Sequence, residues 1–177
     1  MITAVWQLCT EGFSMKTFLR TLLYLALIVW LGAEIFFPIT AGVTFGTLMP
    51  NISAAGAIVG QLIRILHGMG LVSGAIALAL LALAPSLGIY KPRTVLPPMI
   101  LLVVMIGLTV YSQFGIIPAM ERDRIAAGGA IEIGEPTNPI TADFNRLHNR
   151  SELVEEVVLV LGLATVALVA RAESETI

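Results

Sequence analysis

The chain has 177 residues, of which 57% are hydrophobic and only 12% are charged. A soluble domain carries about 25% charged residues because its surface must face water, so this composition excludes an ordinary soluble fold. The 10 basic and 12 acidic side chains give a net charge of −2, which argues against the basic surface that nucleic-acid binding requires. The single cysteine, Cys9, excludes an intramolecular disulfide and a thiolate-rich metal site.

The first long apolar run predicts a membrane span over residues 16–37. A helix of that length reaches roughly 33 Å, about the thickness of the hydrocarbon core of a bilayer. Pro38 is expected to end this helix, since its ring removes a backbone donor. Residues 1–15 are interpreted as an N-terminal extension, in which Met15 is an alternative initiator.

Three further spans follow, and each is bounded by residues that start or stop helices. Asn51 or Ser53 can cap the second helix, Pro118 is expected to close the third, and Thr141 or Asp143 can cap the fourth. The spans are predicted at about 54–84, 94–117 and 143–170, and residues 172–177 form a short tail.

The lengths of the connections predict how these helices are arranged. Short connections join antiparallel neighbours, so residues 16–171 are expected to form an all-α, integral-membrane, up-down four-helix bundle. The short turn with Lys91 and Arg93 contains no acidic residue, whereas the connection at 38–53 contains no charge. By the positive-inside rule both termini are expected in the cytoplasm of a multi-pass membrane protein.

The rare polar side chains of the spans gather at one end of such a bundle, because the end of one helix meets the start of the next. A charged side chain at the centre of a membrane helix costs about 2.5–3.5 kcal/mol on insertion scales, so these groups are expected to point inward and to be paired. The candidate site residues are Trp30, Glu34, Gln61, Arg64, His67, Tyr111, Asn145, His148, Glu152 and Glu155.

Arg64 is the expected partner of the carboxylates, because its planar guanidinium can hold one or two of them among Glu34, Glu152 and Glu155. Two simpler interpretations stand beside this one. The fourth span could begin near Leu153, which would leave His148 and Glu152 outside the membrane. Trp30 and Tyr111 could belong to the aromatic belts at the membrane surface.

Four short segments carry a family resemblance. The most specific is the run from Phe144 through Leu147 and His148 to Ser151; the others surround Trp30 to Pro38, Ala55 to Gly60, and Tyr111 to Arg124. Together they resemble the transmembrane protein 205-like family, a four-span group of unknown function. The resemblance covers about residues 16–170. It implies a four-helix integral membrane protein and supplies no established reaction.

Three functions from different classes remain open. The first is the handling of a small solute, a metal ion or protons through the polar residues, with His67, His148 and Glu152 as candidate ligands of a divalent metal. A homo-oligomer held by the glycines of the second span, such as Gly70 and Gly74, would then complete a pathway. The second is a non-catalytic scaffold or accessory subunit, in which the polar residues fix helix register.

The third is a redox protein that holds haem b between His67 and His148 as axial ligands. The sequence contains no Gly-x-Ser-x-Gly or His-Glu-x-x-His motif and no phosphate-binding loop. These motifs are typical of hydrolases and nucleotide-binding enzymes. The sequence therefore favours a non-enzymatic role over an enzymatic one.

Overall fold

The computed structural model describes residues 15–129, 131 and 138–175, and these residues form helices and turns with no β-strand. The four helices are α1 (Met15–Leu48), α2 (Ile52–Leu83), α3 (Pro92–Ala126) and α4 (Pro139–Ser174). Each is long and apolar enough to cross a membrane. The predicted all-α, four-span architecture is confirmed. Cys9 and most of the predicted N-terminal extension lie outside the described residues, as do the last two residues of the tail.

The helices pack as two hairpins that close into a ring. The most extensive contacts join α1 to α2 and α3 to α4, and the ring is completed by contacts of α2 with α3 and of α1 with α4. Sequence neighbours are thus neighbours in space, as short connections require. Residues from all four helices can therefore meet along the central axis.

The prediction that Pro38 ends the first helix is wrong, because α1 continues through Pro38 to Leu48. Proline is tolerated inside membrane helices when nearby hydroxyl groups satisfy the freed backbone groups. Here the Thr40 hydroxyl donates to the carbonyl oxygens of Phe36 and Phe37 at 3.0 and 2.8 Å. These bonds lie in the turn that contains the proline, whereas the carbonyl that Pro38 leaves without a backbone donor is that of Glu34, four residues earlier.

The expected stop at Pro118 is also wrong, because α3 passes through it and ends at Ala126. The turn before this proline, Ser112–Ile116, is a π-helix, and the backbone N–H of Ile117 donates to the carbonyl of Ser112 five residues back. A π turn is wider than an α turn. The helix therefore accommodates the proline ring by widening locally rather than by ending.

The starts of α2 and α4 are fixed by asparagine caps. The Asn51 side chain accepts from the N–H of Ala54 at 3.1 Å, and Asn138 accepts from the N–H of Thr141 at 2.9 Å. α4 consequently begins at Pro139, before the predicted caps Thr141 and Asp143. Proline suits this first helical position, where its missing donor would have no partner anyway.

The core of the bundle contains Trp30, which is only 1% exposed. Its indole lies directly on the backbone of α2: a Cβ added to Gly70 would lie 2.5 Å from the indole Nε1, and one added to Gly74 would lie 2.5 Å from Cζ3. Trp30 is therefore a core residue in this structure and not a member of an aromatic belt. Gly70 and Gly74 serve packing within one chain.

At the end of the bundle where α1 begins and α4 ends, a polar group joins α1, the turn before α3 and the end of α4. This group, here called the terminal cluster, consists of Arg20, Tyr24, Tyr90 and Glu173. The hydroxyls of Tyr24 and Tyr90 each donate to the Glu173 carboxylate at 3.0 Å. Arg20 lies 3.8 Å from that carboxylate and stacks over the Tyr90 ring at 5.4 Å. Burial, followed by the bond to Glu173, raises the pKa of the Tyr90 phenol above its ordinary value.

Candidate functional site: a buried histidine–glutamate cluster

His67 lies at the centre of a polar site between the helices. Its side chain is fully buried in the middle of α2, and both ring nitrogens have partners. Nδ1 lies 2.9 Å from the Gln113 Oε1 of α3, and Nε2 lies 2.8 Å from the Glu155 Oε1 of α4. The imidazole thus bridges α3 and α4 from a third helix.

The Glu155 carboxyl group connects the histidine to two further groups. Its Oε1 atom also accepts a hydrogen bond from the Ser112 hydroxyl at 3.2 Å. Its Oε2 atom is buried and has no hydrogen-bond partner among the described residues. The Glu34 carboxyl group of α1 is close enough to Glu155 to interact with it directly. Two carboxyl groups therefore share the site with one imidazole.

A hydrogen bond from Trp30 holds Glu34 in the site. The carboxyl side chain is only 6% exposed. The Trp30 indole, one helical turn earlier, donates from Nε1 to the Glu34 Oε1 at 3.1 Å. Because that indole is wedged against Gly70 and Gly74, the packing of α1 on α2 also fixes the position of this carboxyl group.

We call Trp30, Glu34, His67, Ser112, Gln113 and Glu155 the interhelical cluster. It draws residues from all four helices. At 1.5 Å per residue, Glu34, His67 and Glu155 each lie roughly 20–30 Å from both ends of their helices. The cluster is therefore near the middle of the bundle, and not at one end of it as the sequence predicted.

The charges of the interhelical cluster are unusual for a membrane interior. Two carboxyl groups and an imidazole face one another, and no ion pair between described residues joins either carboxyl group to a lysine or arginine. Two carboxylates in close contact cannot easily both be ionised, because like charges repel and burial penalises each. The site is thus suited to holding protons shared among these three groups.

The structure brings together only part of the predicted site, namely Trp30, Glu34, His67 and Glu155. Gln61, Arg64 and Tyr111 are exposed on the outside of the bundle. The expected ion pairs of Arg64 with Glu34, Glu152 and Glu155 are not formed, and its charge acts on Glu121 instead. His148 and Glu152 pair with each other at 3.2 Å, with the Glu152 side chain 62% exposed, while Asn145 is half-buried.

Helix rotation explains which predictions failed. The inward line of α4 runs through Ser151, Glu155 and Val158, so Glu152 is turned about 100° away from it. The inward line of α3 likewise runs through Thr109 and Ser112, which leaves Tyr111 facing outward. Ser112 and Gln113 were not among the predicted site residues. The spacing of Ser112, three residues from Thr109 and seven from Met105, could have placed it on the buried face.

The histidines do not form the axial pair that a haem would require. Both nitrogens of His67 are engaged by Gln113 and Glu155, and His148 lies two helical turns before Glu155, about 10 Å along α4. His148 instead stacks on Phe144 at 6.2 Å between ring centroids. Among the described residues, no group of three or more histidine, cysteine, aspartate or glutamate side chains is arranged to hold a metal ion.

Comparison with known proteins identifies a family without a known activity. Residues 25–125 match the family described as Domain of unknown function (DUF4149). This range contains every residue of the interhelical cluster except Glu155. No curated protein and no solved structure matches the chain significantly. Because the match covers more than half of the chain and includes three of the four helices that form the site, the protein belongs to the DUF4149 family of domains of unknown function.

Proposed function

We propose that this membrane protein handles protons through the interhelical cluster, with Glu155, His67 and Glu34 as the groups that take up and release them. The single observation that carries the proposal is the contact of 2.8 Å between His67 Nε2 and Glu155 Oε1, inside a bundle of four apolar helices. Ionisable residues inside membrane helices are expensive, so their presence marks proton or ion routes by default.

The chemistry of the three groups supports protons over a solute or a metal ion. Histidine is the side chain whose charge changes nearest to neutral pH, and glutamate can hold a proton when it is buried beside another carboxyl group. Glu155 lies beside both His67 and Glu34, so a proton held by one of these groups affects the others. A shared proton can therefore pass between Glu155 and His67 without movement of the helices.

The proposal includes an orientation and a broader relationship. We place both termini in the cytoplasm, on the side of Lys91 and Arg93. We also retain the relationship to the transmembrane protein 205-like family that the sequence suggests. Movement of protons across the whole bilayer would involve a homo-oligomer, for which Gly60 and Gly68 of α2 have open space within 4 Å.

Infrared difference spectroscopy on the protein reconstituted in lipid vesicles tests the proposal. A change of pH is expected to alter the carbonyl stretch of a protonated carboxyl group in the wild-type protein. Glu155→Gln, which preserves the shape of the side chain, should remove or shift this band. Glu156→Gln changes the adjacent, exposed carboxylate on the same helix and should leave the band unchanged.

A scaffold role is the competing function, and one observation favours it. Trp30 fills the space above Gly70 and Gly74, so the same residues that build the site also fix how α1 lies on α2. Polar residues that serve only helix register need to keep their contacts and have no need to take up or release a proton. Absence of any pH-dependent carboxyl band from Glu34 or Glu155 would therefore refute proton handling in favour of the scaffold.

A further inference from the structure

We infer that Gln113 is a positioning residue of the interhelical cluster, whose amide oxygen selects the tautomer of His67 and so directs proton exchange to Glu155. The inference rests on the proposed function, which it deepens. Its basis is the arrangement of partners around the imidazole, where an acceptor lies at one ring nitrogen and a carboxyl group lies at the other.

The amide oxygen at Nδ1 determines where the ring proton lies. Gln113 Oε1 is 2.9 Å from Nδ1 and, as a carbonyl oxygen, can only accept a hydrogen bond. The proton of a neutral His67 is therefore on Nδ1. A neutral imidazole carries one N–H, so Nε2 is left with a lone pair that points at Glu155.

The contact between Nε2 and Glu155 Oε1 then requires a proton from the glutamate side. At 2.8 Å the two atoms are at hydrogen-bond distance. With neutral His67, a protonated Glu155 donates to Nε2. When that proton moves to Nε2, the pair becomes an imidazolium and a carboxylate, and Nδ1 still donates to Gln113. The amide oxygen suits both states, so the proton moves along one hydrogen bond without a rotation of the ring.

Among the described residues, one further ionisable group acts on this pair. Glu34 faces it from α1, while His67 itself comes from α2 and Glu155 from α4. α3 contributes the uncharged Ser112 and Gln113. α3 therefore supplies the hydrogen bonds that orient the site, and the other three helices supply its ionisable side chains.

The π-helix of α3 explains how two consecutive residues serve different helices. Ser112 and Gln113 open the π segment Ser112–Ile116. From there Ser112 donates to Glu155 on α4, and Gln113 accepts from His67 on α2. π turns insert an extra residue into a helix and are frequent at functional sites. The local widening thus coincides with the residues that position the proton-exchanging pair.

Nitrogen-15 NMR of histidine-labelled protein tests this assignment, because the chain has only two histidines. His148→Gln leaves His67 as the single signal and serves as the reference background. At a pH where His67 is neutral, its spectrum should show the Nδ1–H tautomer. In Gln113→Leu the preference of His67 for the Nδ1–H tautomer is expected to disappear, and the Nε2–H tautomer should increase strongly. In Gln113→Glu a carboxylate accepts from Nδ1–H, so the original tautomer should return.

The outcomes separate this inference from the proposed function. A wild-type His67 in the Nε2–H tautomer, or an unchanged tautomer in Gln113→Leu, would overturn the role of Gln113. Return of the tautomer in Gln113→Glu supports it even where the leucine variant is less stable. If Gln113 sets the tautomer while the infrared carboxyl band does not respond to pH, the positioning role stands and proton handling fails.

Discussion

Replacement of Gly70 by alanine tests the central packing contact of the bundle. The added Cβ would lie 2.5 Å from the indole Nε1 of Trp30 and 2.9 Å from its Cε2, both too close for real atoms. The indole is rigid, only 1% exposed and hydrogen-bonded to Glu34. It must therefore move as a whole to make room for the added methyl group. Overpacking of this kind costs about 1–3 kcal/mol, and weakening the bond to Glu34 adds about 1 kcal/mol.

Gly68→Ala is the matched control, two residues away on the same helix. A Cβ there has nothing within 4 Å, so only helix propensity changes, in favour of alanine by up to about 1 kcal/mol. The two variants should therefore differ by roughly 2–4 kcal/mol in the free energy of unfolding in detergent micelles. The chain has two tryptophans, and in a Trp6→Phe background the emission spectrum reports Trp30 alone.

The result that would refute this reasoning is equal stability of the two alanine variants. An unchanged emission spectrum of Trp30 in Gly70→Ala would refute it as well. Either result would mean that the indole does not lie on the backbone of α2. The position of Glu34, which depends on that indole, would then lose its structural basis as well.

Three further predictions concern stability. Thr109→Val should stabilise the protein by about 1 kcal/mol, because the buried Thr109 hydroxyl has no hydrogen-bond partner among the described residues. In Tyr90→Phe the stability should fall by about 1 kcal/mol at neutral pH, since the bond to Glu173 is lost. Arg64→Ala should change stability by less than about 0.5 kcal/mol, whereas Arg124→Ala should cost more because that side chain is bidentate to a neighbouring carboxylate.

Each of these three has a direct check by equilibrium unfolding in micelles. Thr165→Val is the control for Thr109→Val: the Thr165 hydroxyl donates to the carbonyl of Leu161 at 2.8 Å, so its loss should not stabilise. A stabilised Thr165→Val with an unchanged Thr109→Val would contradict the hydrogen-bond assignments. A large loss in Arg64→Ala would show that this guanidinium has a buried partner after all.

The raised pKa of Tyr90 also predicts that the stability of the protein depends on pH. Its pKa is raised in the folded state by burial and by the bond to Glu173, so the folded protein keeps this proton at a higher pH than the unfolded chain. The resulting stability is complete below the ordinary tyrosine pKa of about 10 and is lost as the pH rises above it. The alkaline decline should therefore be shallower in Tyr90→Phe than in the wild-type protein. Identical declines would exclude this contribution.

Much of the site could be expected from the sequence because polar groups are rare in the spans. Glu34, His67 and Glu155 are conspicuous in apolar helices, and the cost of exposing them to lipid predicts that they turn inward. The pairing of Arg64 could not be predicted in the same way. Its separation of three residues from His67 suits a shared helix face, yet the buried line of α2 runs through Ile63, Leu66 and His67 and leaves Arg64 outside.

Residues that carry no charge were the least predictable. Ser112 and Gln113 became the orienting groups of the cluster because the π turn of α3 brings both to neighbouring helices. A regular helical wheel places Ser112 on the buried face with Met105 and Thr109, but it contains no extra residue and cannot anticipate the contact of Gln113 with His67. Pro38 and Pro118 were predicted to end helices for a related reason. A local rule for proline does not include packing against neighbouring helices, nor the wider turn that precedes Pro118.

The sequence alone determined the class of protein, because the scarcity of charge and the lengths of the apolar runs leave only membrane helices, whose backbone groups are satisfied within each segment. It also identified Glu34, His67 and Glu155 as inward-facing groups, but it did not distinguish them from Arg64 and Glu152, which are exposed. The tertiary structure alone decided their partners. Helix rotation, the glycine surface beneath Trp30 and the π turn of α3 are set by packing between segments distant in the chain, and these contacts place His67 between Gln113 and Glu155.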